Sequence, residues 1–405
     1  MEDTTLHLNP EEKLIISLCR MEFTKEQIAR LNGLIKEIID WDRFVTLSNN
    51  LGVVALLWYN LSDSDLTKSI PEKYVKTLRA AYLKSLTFNA FLYDQLNEII
   101  KLSNKAGIKI VILKGLALEK TIYGNKGIRQ ISDIDILVRT DNALALRHLL
   151  IEQGFDSKPL ASPLHKKILP YLRSHLPALT KNGVSVEIHV NLFRERSNTV
   201  TDRFFDTAYR ISEDDIGVYY PPTQLFFLYL IKHVDHHEKT RELQLKSYVD
   251  LYLLLKFFPD EILNKDLFVL AEEVNLLEAV NEKLCLLEIF WDFVPPLWMK
   301  DYEAAVNRKI IADEFITFIK NPVSYSRKDQ SMTVFYPVKR IPGYINKIYY
   351  LTGYLIPSVQ YRKYTYSIKS GLLALSYYPV WWFELLRAVL KSRMKSENKS
   401  GEQFE

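Results

Sequence analysis

Apolar residues recur at helical spacing from residue 11 to about residue 104. Leu14, Ile15 and Leu18 illustrate the period, since residues three or four positions apart share one face of a helix. Pro71 is expected to open a further helix, because proline suits the first helical turn. Residue types used in catalysis do not cluster here, so the region is predicted to be a helical scaffold.

The pattern changes to that of strands after Gly107. Residues 108–113 and 131–138 are apolar and rich in β-branched side chains, as in strands of a buried sheet. Residues 184–190 alternate, which predicts a third strand with two different faces. One face would carry Val184, Val186, Ile188 and Val190, and the other Ser185, Glu187 and His189.

Helical spacing returns between and after these strands. Residues 142–153 are amphipathic and end at Gly154, a residue type favoured just past a helix end. Residues 223–256 predict two further helices.

Composition limits the function classes only weakly. The 405 residues are 48% hydrophobic and carry a net charge of +4, which does not by itself indicate a nucleic-acid-binding protein. Cys19 and Cys285 lack metal-type spacing and are predicted to be buried free thiols in a reducing compartment. The polar N-terminus is not expected to be a signal peptide, and no uncharged run reaches the roughly 18 to 20 residues of a spanning helix. We therefore expect a cytoplasmic protein.

Asp133 and Asp135 stand two residues apart within an apolar run. In a strand, both carboxylates would project from one face, although strands disfavour aspartate and like charges repel. A divalent cation with oxygen ligands explains such a pair, typically Mg²⁺ held together with a substrate's phosphates. The alternative is an edge strand with solvated acids.

Lys114 and Gly115 follow the first predicted strand and precede a short helical pattern. A strand, a glycine turn and a helix start would offer backbone N–H groups to an anion, with the lysine charge beside them. A tight strand-to-helix turn without a ligand is the alternative. A polar loop, residues 124–130, then leads into the Asp133 strand.

Together these motifs resemble those of a known enzyme superfamily. A glycine-containing strand-helix turn, an Asp-x-Asp pair and a third carboxylate on a neighbouring strand are similar to the DNA polymerase β-type nucleotidyltransferases. Residues 113–115, 129–138 and 187–189 look more closely like an uncharacterised bacterial nucleotidyltransferase family, often encoded beside polysaccharide or modified-peptide biosynthesis functions. The resemblance covers roughly the first 290 residues, and the Lys-Gly turn departs from the superfamily's Gly-Ser turn.

The resemblance implies an α+β fold, with a small mixed β-sheet nucleotidyltransferase core embedded between N- and C-terminal helical regions. Asp133, Asp135 and Glu187 would hold two Mg²⁺ ions, or Mn²⁺ in their place, and catalyse transfer of a nucleoside monophosphate from an NTP such as ATP to a hydroxyl, releasing pyrophosphate. The residues expected to bind the nucleotide are Lys114, Gly115, Arg129 and Ser132.

Three further residues, His189, His233 and Asp250, are expected to support this site. His189 would orient a ligand or be a structural histidine, and Arg129 could equally be a structural partner of the carboxylates. His233 and His237 have a spacing that can chelate zinc, but polar contacts at the wall of the active site are preferred. Asp250 would pair with a cation at the site or form an internal salt bridge.

The C-terminal segment differs in composition from the remainder. Between 340 and 395 basic residues and aromatics are interleaved with a single acid, Glu384. Three interpretations remain: a helical arm docked on a protein partner or a second copy, a peripheral contact with an anionic membrane, and nucleic-acid binding, which is the least favoured. The predicted regions are 1–104 helical, 105–215 catalytic, 216–325 helical, 326–395 basic aromatic tail and 396–405 disordered.

The sequence also leaves the function of the site open at two points. The acceptor could be a small molecule, a glycan or a peptide, including the targets of antibiotic-modifying or toxin-type transferases, because acceptor pockets vary around a fixed site. The alternative to an enzyme is a non-catalytic scaffold protein that uses the fold as a platform in a biosynthetic assembly.

Overall fold

The chain divides into two units, each built from two separate stretches of the sequence. The first comprises residues 1–135 and 202–326, and the second comprises residues 136–201 and 327–405. The computed structural model describes residues 8–172, 174–193, 199–211, 217–240, 243–296, 307–322, 338, 341 and 343–387. The predicted disordered terminus, 396–405, lies outside these ranges.

The predicted helical scaffold is present at the start of the first unit. Its helices are α1 (Pro10–Leu18), α2 (Lys25–Glu37), α3 (Trp41–Asn50), α4 (Val54–Asp63) and α5 (Glu72–Lys105). Thr24 and Asp40 cap α2 and α3, each accepting a hydrogen bond from a backbone N–H of the first turn. The helical pattern that runs continuously through 41–61 is divided at Gly52, whose φ of 73° cannot continue a right-handed helix.

A five-stranded sheet lies where the sequence changes character. Its strands are β1 (Val111–Ile112), β2 (Asp133–Leu137), β3 (Asp156–Ser157), β4 (Leu179–Lys181) and β5 (Val184–His189), in the order β1-β2-β5-β4-β3. The pairs β3–β4 and β4–β5 are antiparallel, whereas Val111 forms a parallel bridge with Tyr219. The sheet is therefore mixed, and the predicted α+β class is confirmed.

The strands β1 and β5 differ in how closely they match the patterns that predicted them. β1 is shorter than 108–113, because its bridge involves one residue, Tyr219, which bonds to Ile110 and Ile112. β5 follows its alternation closely: Val184, Val186 and Ile188 are buried, while Ser185 and Glu187 are half-buried.

Helices surround the sheet elements along the chain. A π-helix (Glu119–Tyr123) continues directly from α6, and 3₁₀ turns cover Leu66–Ser69 and Pro163–Ile168. The described α-helices after β1 are α6 (Lys114–Leu118), α7 (Thr140–Glu152), α8 (Leu169–Leu172), α9 (Thr199–Asp206), α10 (Thr223–Thr240), α11 (Leu245–Phe257), α12 (Pro259–Ile262), α13 (Lys265–Glu273), α14 (Leu277–Trp291), α15 (Arg308–Lys320), α16 (Tyr344–Leu355), α17 (Val359–Thr365), α18 (Gly371–Ser376) and a helical stretch, 378–387.

Within the second unit, α16 packs on the 3₁₀ turn that contains His165. The His165 ring is buried, lies 4.9 Å from the ring centroid of Tyr354, and has its Nε2 at 2.8 Å from the carbonyl oxygen of Tyr350. Gly353 allows this close approach, because a Cβ there would lie 2.2 Å from His165 Nε2. The C-terminal segment is thus anchored to its own chain at this point.

Replacing Gly353 with alanine should displace α16 from this turn. The added methyl group would meet both His165 and the Cβ of Ser162, at 2.8 Å, so we expect the free energy of unfolding to fall by about 1–3 kcal/mol. Urea denaturation measures the effect. Gly371→Ala in α18 is the matched control, because its Cβ would meet nothing nearer than 4.0 Å. Equal stability of the two variants would contradict the proposed packing.

Candidate active site on the sheet

The two aspartates of β2 occupy different environments. Asp135 is only 2% exposed, and its Oδ1 accepts a hydrogen bond of 2.8 Å from the Lys114 ammonium. Asp133 is half-buried, and its Oδ1 accepts a hydrogen bond of 2.9 Å from Ser132 Oγ. The sequence-predicted cation Lys114 therefore neutralises the buried carboxylate of the pair.

The backbone brings Lys114 to this position. The N–H of Leu113 donates to the carbonyl oxygen of Asp135 at 2.9 Å, which places the end of the β1 segment beside the middle of β2. Lys114 then has a φ of 46°, in the left-handed region that non-glycine residues rarely adopt. Such a conformation is costly and persists where surrounding contacts hold it, as the ion pair with Asp135 does here.

Three side chains of the sheet could together hold a metal ion. Asp135 on β2 and Glu187 and His189 on β5 each offer one ligand atom, and these atoms lie within 4.8 Å of one another. His189 Nε2 is 3.6 Å from a Glu187 oxygen. Two carboxylates with one imidazole form a donor set that fits a divalent cation such as Mn²⁺, and the carboxylates alone suit Mg²⁺. Of the predicted metal ligands, Asp135 and Glu187 belong to this group, whereas Asp133 does not.

Arg129 and Asp250 form a buried ion pair in the first unit. The guanidinium donates from Nε and Nη2 to the two carboxylate oxygens of Asp250, at 2.9 and 2.7 Å. The Tyr123 hydroxyl donates to the same carboxylate at 2.8 Å. Burial alone would lower the pKa of Arg129, but the Asp250 carboxylate outweighs it and the pKa lies above its usual value. Burial, and then Asp250, raise the pKa of Tyr123.

The loop that carries Arg129 is held by the long helix α5. The buried Asn89 amide donates to the carbonyl oxygen of Arg129 at 2.7 Å, and the Tyr82 hydroxyl donates to Asn125 at 3.0 Å. Gly127 lies against Tyr82 so closely that a Cβ would come within 2.4 Å of its ring. A helix that looked like scaffold in the sequence thus positions the loop before β2.

Gly115 has a packing requirement that the sequence did not reveal. A Cβ at this residue would lie 2.6 Å from Arg129 Nη1 and 2.9 Å from Ile131 Cγ2. The missing side chain therefore leaves room for the buried guanidinium. Gly115 lies inside α6, which has five residues.

Lys246 is a further cation of this region that sequence reasoning did not assign. Its ammonium donates to the carbonyl oxygen of Gln130 at 3.2 Å. Burial, and then the like charge of Arg129, lower its pKa to about 8, against the opposing influence of Asp250 and Asp133. The only sequence signal was a lysine one helical turn before Asp250 in an otherwise apolar helix.

The histidines of α10 lie near each other without forming a group of three metal ligands. The rings of His233 and His237 are in T-shaped contact, with centroids 4.2 Å apart. Within the described ranges, the group of three potential ligands is that of the sheet, and it does not include His233.

Removing Asp250 should destabilise the fold far more than removing an exposed acid. Asp250→Ala leaves Arg129 buried without its counter-charge, so we expect a loss of about 3–5 kcal/mol in the free energy of unfolding. The control is Glu273→Ala, which breaks a pair with Arg203 whose side chains are nearly half exposed and should cost less than about 1 kcal/mol.

The double variant Arg129→Met with Asp250→Leu tests whether Arg129 also has a chemical role. Replacing a buried pair with apolar side chains is often nearly neutral for stability. A stable but inactive double variant would indicate that Arg129 serves the site, by contacting substrate or by positioning the loop before β2, whereas retained activity would indicate a purely structural pair. Loss of stability equal to that of Asp250→Ala would contradict the ion-pair explanation.

Comparison with known proteins gives a match to a family model, whereas no curated protein matches the chain. The model of a family described as uncharacterised nucleotidyltransferase matches residues 37–292, which include α5, the sheet, the loop before β2, and α10 to α14. This range covers more than half of the chain and contains every residue of the site described above. The chain therefore belongs to this nucleotidyltransferase family.

Proposed function

We propose that the protein is a metal-dependent nucleotidyltransferase that moves a nucleoside monophosphate from an NTP to a hydroxyl-bearing acceptor and releases pyrophosphate. The observation that carries the proposal is the group of Asp135, Glu187 and His189 on the sheet of a chain that belongs to a nucleotidyltransferase family. The acceptor is a small molecule, a glycan or a peptide.

Asp135 and Glu187 would hold the cation, with Asp133 as a further carboxylate on the same strand. A divalent cation bound there would neutralise triphosphate charge and lower the pKa of the acceptor hydroxyl. The Lys114 ammonium lies 2.8 Å from a carboxylate oxygen of Asp135 and balances its negative charge. The ammonium is therefore within reach of any phosphate oxygen that approaches this carboxylate, and charge-assisted hydrogen bonds of this kind are strong.

Arg129 and Lys246 would contribute positive charge near β2. Arg129 is fixed by Asp250, which makes it a rigid positive group, whereas Lys246 is held by one carbonyl oxygen at 3.2 Å. Lys246 interacts electrostatically with both Arg129 and Asp133. We assign Lys246 to phosphate binding and Arg129 to positioning the loop before β2.

Neutralising the carboxylates should abolish transfer. The protein is incubated with α-labelled ATP, GTP, CTP and UTP, Mg²⁺ or Mn²⁺, and a lysate of its source cells. We expect labelling of an acceptor that falls about a hundredfold or more in Asp135→Asn and Glu187→Gln, because several kcal/mol of charge stabilisation are lost. Asp156→Asn on β3 is the control, since that carboxylate is exposed and should leave transfer unchanged.

Transfer that survives in both variants would contradict the catalytic assignment. The alternative of a non-catalytic platform is tested by calorimetric titration with Mn²⁺ and a non-hydrolysable NTP. Binding that is lost in Asp135→Asn supports the enzyme site, whereas no binding by the native protein favours the platform.

The role of Lys246 predicts a pH dependence. With a pKa of about 8, its ammonium is charged below that pH and neutral above it. The KM for NTP should therefore rise about tenfold as the pH increases through 8, since a hydrogen bond to a charged group is lost. Lys246→Arg stays charged throughout and should flatten this rise. An unchanged pH profile in that variant would assign the dependence to another group.

A further inference from the structure

The C-terminal helices of the second unit expose an unusual amount of apolar surface. More than half of the exposed large hydrophobic side chains in the described part of the chain lie within 344–386. Leu372 is 82% exposed and Phe383 is 67% exposed. Such a concentration of exposed apolar side chains is unusual on soluble proteins, and an exposed apolar patch usually marks an interaction site.

Hydrogen bonds bring part of this surface together. The Trp382 indole donates to the carbonyl oxygen of Leu355 at 2.8 Å, and the Trp381 indole donates to that of Tyr354 at 2.7 Å. These bonds fix the helical stretch 378–387 against the end of α16. Leu355 and Trp382, both exposed, are thus neighbours.

The two faces of α16 are used differently. Tyr350 and Gly353 are buried on the turn that carries His165, whereas the opposite face is apolar and exposed. That exposed stripe, at helical spacing, consists of Tyr344, Ile345, Ile348 and Leu355. Packing within the second unit therefore buries one side of the helix and leaves an apolar side exposed.

The charges around this surface are predominantly positive. Residues 344–387 contain the basic residues Lys347, Arg362, Lys363, Lys369 and Arg387. They contain one acid, Glu384, whose carboxylate accepts a hydrogen bond from the Tyr366 hydroxyl at 2.8 Å.

Arg362 adds a buried charge beneath the surface. It is fully buried, and its guanidinium carbon lies 3.4 Å from the ring centroid of Tyr378. The Tyr378 ring is in tilted contact with that of Trp382, with centroids 5.6 Å apart. None of its three guanidinium nitrogens hydrogen-bonds to a described residue. A buried cation is poorly screened and so favours an anion at the surface above it.

We propose that this surface, residues 344–387, binds peripherally to a bilayer containing anionic phospholipids. Exposed leucine, isoleucine and phenylalanine side chains insert into the acyl boundary, Trp382 lies at headgroup level, and the lysines and arginines attract the lipid phosphates. None of the described helices is long and apolar enough to cross a membrane, so the contact lies along the surface.

The same features disfavour the other two occupants. A symmetric second copy would place like positive charges opposite one another, which is unfavourable in an interface. Nucleic acid is bound by aromatic rings that stack on bases, whereas the exposed set here is largely aliphatic. An anionic bilayer satisfies both the charge and the aliphatic side chains.

Vesicle co-sedimentation of the full chain tests the proposal. We expect binding to vesicles of phosphatidylcholine mixed with phosphatidylglycerol, and little binding to phosphatidylcholine alone. Leu372→Glu with Phe383→Glu should weaken the partition coefficient by at least about tenfold, since each side chain loses its apolar burial. Val269→Glu is the matched control, because Val269 is exposed to 64% in the first unit and should have no effect.

Each other outcome overturns the proposal. Failure of the native chain to sediment with anionic vesicles contradicts it, and so does equal binding to neutral vesicles. A control variant that weakens binding as much as the double variant contradicts it as well. Sedimentation-velocity runs of the same proteins identify the replacement: a dimer that dissociates in Leu372→Glu with Phe383→Glu would assign the surface to a second copy. Binding of single-stranded DNA that competes with vesicles would assign it to nucleic acid. Circular dichroism checks that the variants retain the native helical content.

Discussion

The cost of burying charge is the constraint on which the candidate site depends. Asp135 and Asp250 are each 2% exposed, and an uncompensated carboxylate at either position would be strongly destabilising. The chain supplies Lys114 to one and Arg129 to the other, and both cations are themselves largely buried. The first unit is therefore organised around two ion pairs, and breaking either pair would strongly destabilise the fold.

These pairs explain features that would otherwise appear unrelated. Lys114 adopts a left-handed backbone conformation as the chain leaves β1, and its ammonium reaches Asp135 from there. Gly115 lacks a side chain where the Arg129 guanidinium needs space, and Asn89 on α5 holds the carbonyl oxygen of Arg129. The charged candidate site is thus supported from a helix whose sequence gave no chemical indication.

The sequence predicted the parts of the fold that have a regular pattern. Apolar alternation identified β5, and the β-branched run identified β2, because a buried strand requires such side chains. The strands β3 and β4 were not predicted, because Asp156–Ser157 and Leu179–Lys181 are too short and polar to show the apolar alternation of a strand.

The site was predictable in its residue types but not in its pairings. Asp133, Asp135 and Glu187 stood out because acids are unusual in strands, whereas the choice of Asp250 for Arg129 depends on a contact between residues 121 positions apart. His189 joins the potential metal ligands because alternation places it on the face of Glu187, although a histidine at a strand end carries no distinctive pattern. Lys246 depends for its low pKa on burial, which no local pattern reports.

The π-helix Glu119–Tyr123 fixes the register of the chain between Gly115 and the loop before β2. A π turn contains one more residue than an α turn, so it rotates everything after it by about 100° relative to a regular helix. That rotation brings the Tyr123 hydroxyl onto Asp250 at 2.8 Å. Deleting one residue here would give a more regular helix and a tyrosine facing elsewhere. Alignments of relatives should therefore treat a one-residue gap in this segment as a change to the site, even though no charged residue is lost.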